Sequence, residues 1–265
     1  MPSAKLMIIA IFGISASLGA LAETPDAVPS DLAILQSYAD DYETDRFFRD
    51  PIHFGVQVGA AWYTVQGSPG AEVAHGSVDV RSGLPEVPTY VFTIESSDVL
   101  RKLDAGNVSA LTLAGKAQSA DYAPLDIDLM DGAELPDWFG DKITRLLFHF
   151  WTRGWPETVP YATQETRLVH STDLAALYYQ PGFRSAYFDM QPGRHANEGE
   201  GEASADPYTS MFILLEGELK VILDGEEFPL TEGNMIIVPP NVRHEIINES
   251  DAQARGLLMM FGEGA

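Results

Sequence analysis

His195-Ala196-Asn197 and, further along, His244 carry side chains that can ligate a metal or move a proton near neutral pH. Glu198, Glu200 and Glu202 follow the first group in an acidic, glycine-bearing run that ends at Asp206. Imidazole, an amide oxygen and a carboxylate suit a hard or borderline divalent cation, and open positions on that cation activate water or dioxygen. His244 without such partners is a pocket histidine, a general base or hydrogen-bond partner for a ligand. Arg184 can hold a substrate carboxylate through a bidentate contact. Tyr178, Tyr179 and Tyr187 can donate a proton, or simply fill a barrel interior.

The rest of the composition narrows what these residues can do. The chain of 265 residues has no cysteine, which excludes disulfides, thiolate nucleophiles and zinc-thiolate sites. Any metal must be held by His, carboxylate or amide. Asp and Glu number 39 against 16 Lys and Arg, a formal net charge of -23. That surface argues against a nucleic-acid partner and against docking on an anionic membrane. Neither a phosphate-binding glycine loop, nor a nucleophile elbow, nor His-Glu-x-x-His is present.

Residues 1–22 read as a secretory signal peptide. Lys5 precedes an apolar run from Leu6 to Leu18, and Ala20-Leu21-Ala22 makes a small-x-small cleavage site before Glu23. Gly13, Ser15, Ser17 and Gly19 weaken the alternative of a membrane anchor. Removing the leader takes Lys5 with it and brings the net charge to -24. A periplasmic or secreted protein with no membrane insertion after processing is the expectation.

Two domains should position the candidate residues, an α+β domain over 23–160 and an all-β domain over 165–265. Ser30 or Asp31 caps a helix with Leu32, Leu35, Tyr38, Ala39 and Tyr42 on one face. Short β-type runs follow at Ala60–Val65, Glu72–Val80 and Thr89–Ile94, parted by turn residues. A short helix over Val99–Leu103, a strand-like piece over Ala110–Ala114 and a helix over Trp138–Trp151 complete the first half. His149 and His170, single histidines beside apolar residues, read as structural. After a break at Gly154-Trp155-Pro156, short apolar or alternating runs recur every eight to twelve residues or so, the spacing of a sandwich or barrel. Alternation within Ser185–Met190 puts Ala186 and Phe188 on one face and Tyr187 and Asp189 on the other.

Within that second half, Gly233-Asn234-Met235-Ile236-Ile237-Val238-Pro239-Pro240-Asn241-Val242-Arg243-His244-Glu245-Ile246-Ile247-Asn248 has a readable shape. A turn glycine feeds an apolar strand, Pro-Pro-Asn reverses it, and His244 opens the next strand. The run resembles the second motif of the cupin superfamily, G-x5-P-x-G-x2-H-x3-N. Asn241 stands where glycine is usual, and Asn tolerates the left-handed backbone of such a turn. Leu214–Gly225 is similar to the hairpin between the cupin motifs. The resemblance implies a jelly-roll barrel with His244 inside it.

The first cupin motif is degenerate. The glutamate expected upstream of the hairpin glycine Gly217 falls on Ser210. His195-Ala196-Asn197 after Pro192-Gly193 stands in for His-x-His, with Glu198, Glu200 or Glu202 as the carboxylate. By the resemblance, His195, Asn197, Glu202 and His244 would ligate one divalent metal (Fe, Mn, Ni or Zn), and His244 and His195 would be catalytic. Arg184, Tyr187 and Tyr179 would bind the ligand. A metal-assisted oxygenase, lyase or isomerase and a metal-free binding pocket both remain open at this point. A weaker resemblance links Thr89–Lys116 to sterol-carrier-like domains, through the order strand, capped helix, Gly106 and strand. It implies a lipidic ligand near Trp138, Phe139, Phe148, Phe150 and Trp151. The partners expected are therefore a small organic metabolite in the barrel, or a lipid in the N-terminal half, and a second copy of the chain through barrel strands. Asn107-Val108-Ser109 and Asn248-Glu249-Ser250 are glycosylation sequons that matter only in a eukaryotic secretory route.

Overall fold

The computed structural model describes residues 28–45, 47–70, 76–116, 120–134, 139–152 and 160–265. The leader, the start of the strand expected from Glu72, Trp138 and the Gly154-Trp155-Pro156 break lie outside them, as do the side chains of Phe139 and Glu202.

Helix α1 (Asp31–Glu43) begins where the Ser30 hydroxyl accepts from the Ala33 amide at 3.2 Å. That bond satisfies one of the donors a helix start leaves open. The helix buries Ile34, Leu35, Tyr38, Ala39 and Tyr42. Five strands make the first sheet: β1 (Ile52–Val58), β2 (Ala61–Ser68), β3 (Ser77–Ser82), β4 (Tyr90–Ile94) and β5 (Leu125–Leu129). Their order is β3-β2-β1-β4-β5, with β1 and β4 parallel. Helix α2 (Ser97–Asp104) leaves β4 under a Ser96 cap. The core beside the sheet is aromatic. Phe54 meets Phe92 edge-on at 5.2 Å and Phe150 at 5.4 Å, and Trp151 meets Phe92 at 5.4 Å. Offset and edge-on rings are the geometry the aromatic quadrupole favours.

Ala110–Ala114 corrects one expectation. It is a helix, α3, not a strand. The Ser109 hydroxyl accepts from the Thr112 amide at 3.1 Å, and Ala110, Leu111, Thr112 and Leu113 are all buried. A segment buried on every side has no apolar period by which a sequence reader can tell helix from strand. The returning strand of the sterol-carrier-like order is thus absent, and β5 is the next strand of the sheet instead. Helix α4 (Phe139–Arg145) continues into a π-helical turn, Leu146–Phe150. Phe150 and Trp151, each 1% exposed, fill the core and do not line a lipid pocket.

The C-terminal half is a jelly-roll. Its strands are β6 (Arg167–Val169), β7 (Thr172–Gln180), β8 (Phe183–Met190), β9 (His195–Ala196), β10 (Thr209–Glu216), β11 (Glu218–Leu223), β12 (Glu226–Thr231), β13 (Met235–Val238), β14 (His244–Ile247) and β15 (Ala254–Phe261). One sheet runs β13-β10-β15-β8-β7-β6 and the other β12-β11-β14-β9. Phe188, Phe212 and Leu214 from the first share a core with Val221, Leu230 and Ile246 from the second. Asn241 has φ 61°, so it does occupy the left-handed turn position usually held by glycine.

Helix α3 ties the halves together. Strand β6 pairs with β7 only as far as Leu174, and β7 bulges between Ala176 and Tyr178. There the Ala176 amide donates to the Thr112 hydroxyl at 2.8 Å, and the Ser109 hydroxyl donates to the Ala176 carbonyl at 3.2 Å. Two hydroxyls thus replace a missing strand at an open sheet edge. Arg167 clasps the other end of α3. Its guanidinium donates to the carbonyls of Thr112, Leu113 and Gly115, and to that of Tyr122 at 2.6 Å. These include carbonyls that a helix end leaves without partners. Arg167→Ala is expected to lower stability by about 1–2 kcal/mol, a figure kept small because the side chain is partly solvated. Lysine should not restore it, since only the planar fork reaches several carbonyls at once. Thermal unfolding of both variants, with amide exchange over Ala110–Ala114, checks this.

Candidate functional site

Strand register fixes which side chains meet inside the barrel. Tyr179, Arg184, Met260, Ser210 and Val238 form one row across the six-stranded sheet. Ala176, Ala186, Leu258, Phe212 and Ile236 form the next. Leu174, Phe188, Gly256 and Leu214 form a third. Rows two residues apart are separated by about 6.7 Å along the strands. Two alanines in the middle row leave space, and a partly enclosed cavity of about 730 Å³ opens there. Cavities of this size take organic molecules of drug-like dimensions.

Both halves of the chain build its wall. Residues from the three rows line one side, and His244 and Ile246 of β14 line another. Leu111, Ala114, Ile127 and Leu147 close it from the N-terminal half. Most of the lining is apolar, with polar groups at separate places.

His244 is 6% exposed and faces the cavity, with Phe212 at 6.2 Å between ring centroids. Its Nδ1 lies 3.4 Å from the Val242 carbonyl oxygen. A carbonyl only accepts, so in the tautomer that makes this contact the proton sits on Nδ1 and Nε2 is free to accept.

His195 does not join it. Ala196 pairs with Ile246 and points inward, so its neighbour His195, paired with Ile247, points out. Its Nε2 is 2.6 Å from Glu245 and its Nδ1 is 3.6 Å from Glu198. Period-two alternation puts adjacent residues on opposite faces, which separates His195 from His244. Asn197 lines the cavity, but its amide donates to the His244 carbonyl at 3.1 Å. Glu198 is an exposed side chain, whereas Glu200 reaches the cavity wall. Among the described residues, no three His, Asp or Glu come together as a cation site. Among the described residues, His195 and His244 therefore do not converge on one cation, and the Glu202 side chain lies outside them.

Glu200 instead pairs with a histidine that its sequence context does not single out. His170 lines the cavity, and its Nδ1 is 2.9 Å from the Glu200 carboxylate. His170 and Ser171 have φ of 45° and 60° and turn the chain from β6 to β7. Positive φ at both central residues is the type I′ hairpin turn. A His-Ser pair gives little hint of that turn, because Asn-Gly is its usual signature. His149 is structural, as expected: it lies 3.1 Å from Asp45 under the ring of Phe47.

Of the ligand-binding candidates, Arg184 and Tyr179 line the cavity, as does Tyr178. Tyr187 does not. It sits on the opposite sheet face, buried, with its ring 5.5 Å from Tyr161. The alternation expected for β8 holds, and it is this alternation that excludes Tyr187. The Arg184 guanidinium lies over the rings of Tyr179 at 5.8 Å and Tyr208 at 5.1 Å. Burial, then the charge of Asp206, pushes the Tyr208 phenol up to about 12, with Arg184 opposing. At neutral pH that hydroxyl is therefore protonated.

Comparison with known proteins agrees with the barrel. Residues 186–260 match the family model described as Cupin domain, and the C-terminal half is a cupin barrel. A curated relative, "Polyketide synthase CurC" of Streptomyces cyaneus, is 37% identical over 67 residues. That match spans 25% of this chain and 40% of the relative. Among solved structures, a Cupin 2 conserved barrel domain protein from Salinispora arenicola is 20% identical, covering 41% of this chain and 88% of its own, with a TM-score of 0.34. A protein from Photorhabdus luminescens is 17% identical over 40% of this chain and 87% of its own, with a TM-score of 0.35.

Proposed function

We propose that this chain is an exported protein that binds a small organic metabolite between its cupin barrel and helix α3. The observation that carries the reading is the composite wall of the 730 Å³ cavity, in which Leu111 and Ala114 of α3 face Ala176, Ala186 and Phe188 of the barrel. A ligand there touches both halves, so its binding adds to the Arg167 clasp and stabilises their contact by mass action. Export rests on Met1–Ala22, which reads as a signal peptide. His244 lines the site and can exchange a hydrogen bond with a ligand, a role that requires no metal.

The test uses phenylnaphthylamine, a neutral apolar dye that brightens out of water. One site per chain is expected, and Ala186→Phe, which fills the middle row, should abolish binding. Thermal unfolding of that variant should stay within a few degrees of the parent. Unchanged dye binding in a folded Ala186→Phe protein would remove the cavity from the account.

A further inference from the structure

Three basic side chains reach the cavity wall, and two are already committed. Lys116 holds Asp126 at 2.6 Å, and Arg167 holds backbone carbonyls of α3 and Tyr122. Arg184 differs. Its Nη2 donates to the Gly264 carbonyl at 2.7 Å, but its Nε is buried without a partner. Among the described residues, no Asp or Glu lies within ion-pair distance of it. Of the two carboxylates in the lining, Glu200 pairs with His170, and Asp206 acts on the Tyr208 phenol.

Among the described residues Arg81 and Arg194 also lack a carboxylate, but both are exposed to water, whereas Arg184 is only partly exposed. Acidic residues outnumber basic ones 39 to 16, so a carboxylate is easy to supply. Arg101, Arg145, Arg243 and Arg255 each have one. A guanidinium drawn out of water between two tyrosine rings gains cation–π attraction, but a buried donor left unpaired costs free energy. An anion supplied from outside would satisfy both its charge and its free Nε.

We propose that the ligand is an apolar molecule with one anionic head, its head on Arg184 and its body along the Ala176–Ala186 and Leu174–Phe188 rows under α3. This deepens the proposed function and rests on the cavity being the binding site. The register sets the arrangement, because Arg184 belongs to the outermost of the three rows and the two inner rows are apolar. A body extending over both inner rows reaches about 13 Å from the head. The general field of the protein, at -23, repels anions, so the head must be held by a specific contact.

Two dyes with one ring frame separate the claims. Anilinonaphthalene sulfonate carries an anionic head that phenylnaphthylamine lacks. The wild-type protein should bind the sulfonate at least tenfold more tightly than the neutral dye. Arg184→Met should weaken the sulfonate tenfold or more and leave the neutral dye within about twofold. Arg184→Gln carries the same comparison should the methionine variant fail to fold. If the ratio of the two affinities is unchanged by these substitutions, the anionic head is wrong while the cavity stands. If neither dye binds the wild-type protein, or Ala186→Phe blocks neither, the cavity itself is not the site.

Discussion

Asn248→Asp is expected to destabilise the barrel by about 4 kcal/mol at neutral pH, although it changes one atom of a fully buried side chain. Asn248 is 0% exposed and uses its whole amide. Its Nδ2 donates to the carbonyls of Met190 and Ala252, both at 2.8 Å. Its Oδ1 accepts from the amide of Ser250 at 3.1 Å and from the Ser250 hydroxyl at 2.8 Å. Aspartate keeps the acceptor and loses both donors. Ionised, it sets a buried charge against two carbonyl oxygens; protonated, it can serve only one of them. Burial therefore raises the folded pKa of the introduced carboxyl, and the protonated form is the one the fold prefers. The sign follows: the variant is least impaired below the unfolded value, about 4, and loses stability as pH climbs from there towards 7. Asn248→Ala should show a loss of about 3 kcal/mol without this added pH dependence. Denaturant unfolding of both variants at pH 4.5 and 7 distinguishes them. Parallel losses at the two pH values would contradict the argument.

The main chain of Asn248 also bears on the site. Its backbone N–H donates to the Arg194 carbonyl and its backbone C=O accepts from the Gly193 N–H, which fixes the chain entering β9. That entry sets the phase of His195 and Ala196, and hence which of them faces the cavity. The sequon at Asn248 is closed as well, since both amide hydrogens are occupied and the residue has no exposure. Asn107 is the exposed sequon asparagine of the two.

How much of this is legible in the sequence depends on how far a signal extends along the chain. Gly233–Asn248 is readable because its turn residues, His244 and Asn248 sit at fixed intervals, each with a backbone reason. Arg184 and Ala186 are readable because eight residues of β8 let alternation be counted. His195 fails in a strand of two residues, where nothing local tells inward from outward. His170 fails because its importance comes from Glu200, thirty residues along, and from a turn that its own residue types do not announce. Helix α3 fails because tertiary burial on all sides removes the period that identifies a helix. The most consequential feature, the closing of the barrel by the N-terminal half, is a relation between distant segments that no local pattern encodes.

Gly256→Ala is expected to cost about 3 kcal/mol, as much as many truncations of a large core side chain. The backbone at Gly256 is not left-handed, so alanine meets no conformational penalty and the effect is one of space alone. A Cβ there would lie 2.2 Å from the Ile213 carbonyl oxygen and 2.5 Å from the Phe188 ring. Phe188 lines the cavity, so a ring displaced towards it would take ligand volume. The Ile213 carbonyl has less freedom, because β10 is held between β13 and β15. These two contacts predict an asymmetric rescue. Phe188→Ala should relieve the ring contact but not the carbonyl contact. In a Phe188→Ala background, Gly256→Ala should therefore still cost more than half of what it costs in the parent. Full rescue would mean that the strand pair yields easily and that Phe188 alone demands glycine. Dye binding offers a second readout: Gly256→Ala, if folded, should weaken phenylnaphthylamine several-fold as Phe188 swings in. The one position in the third row without a side chain thus serves the cavity by letting the Phe188 ring lie flat against the sheet.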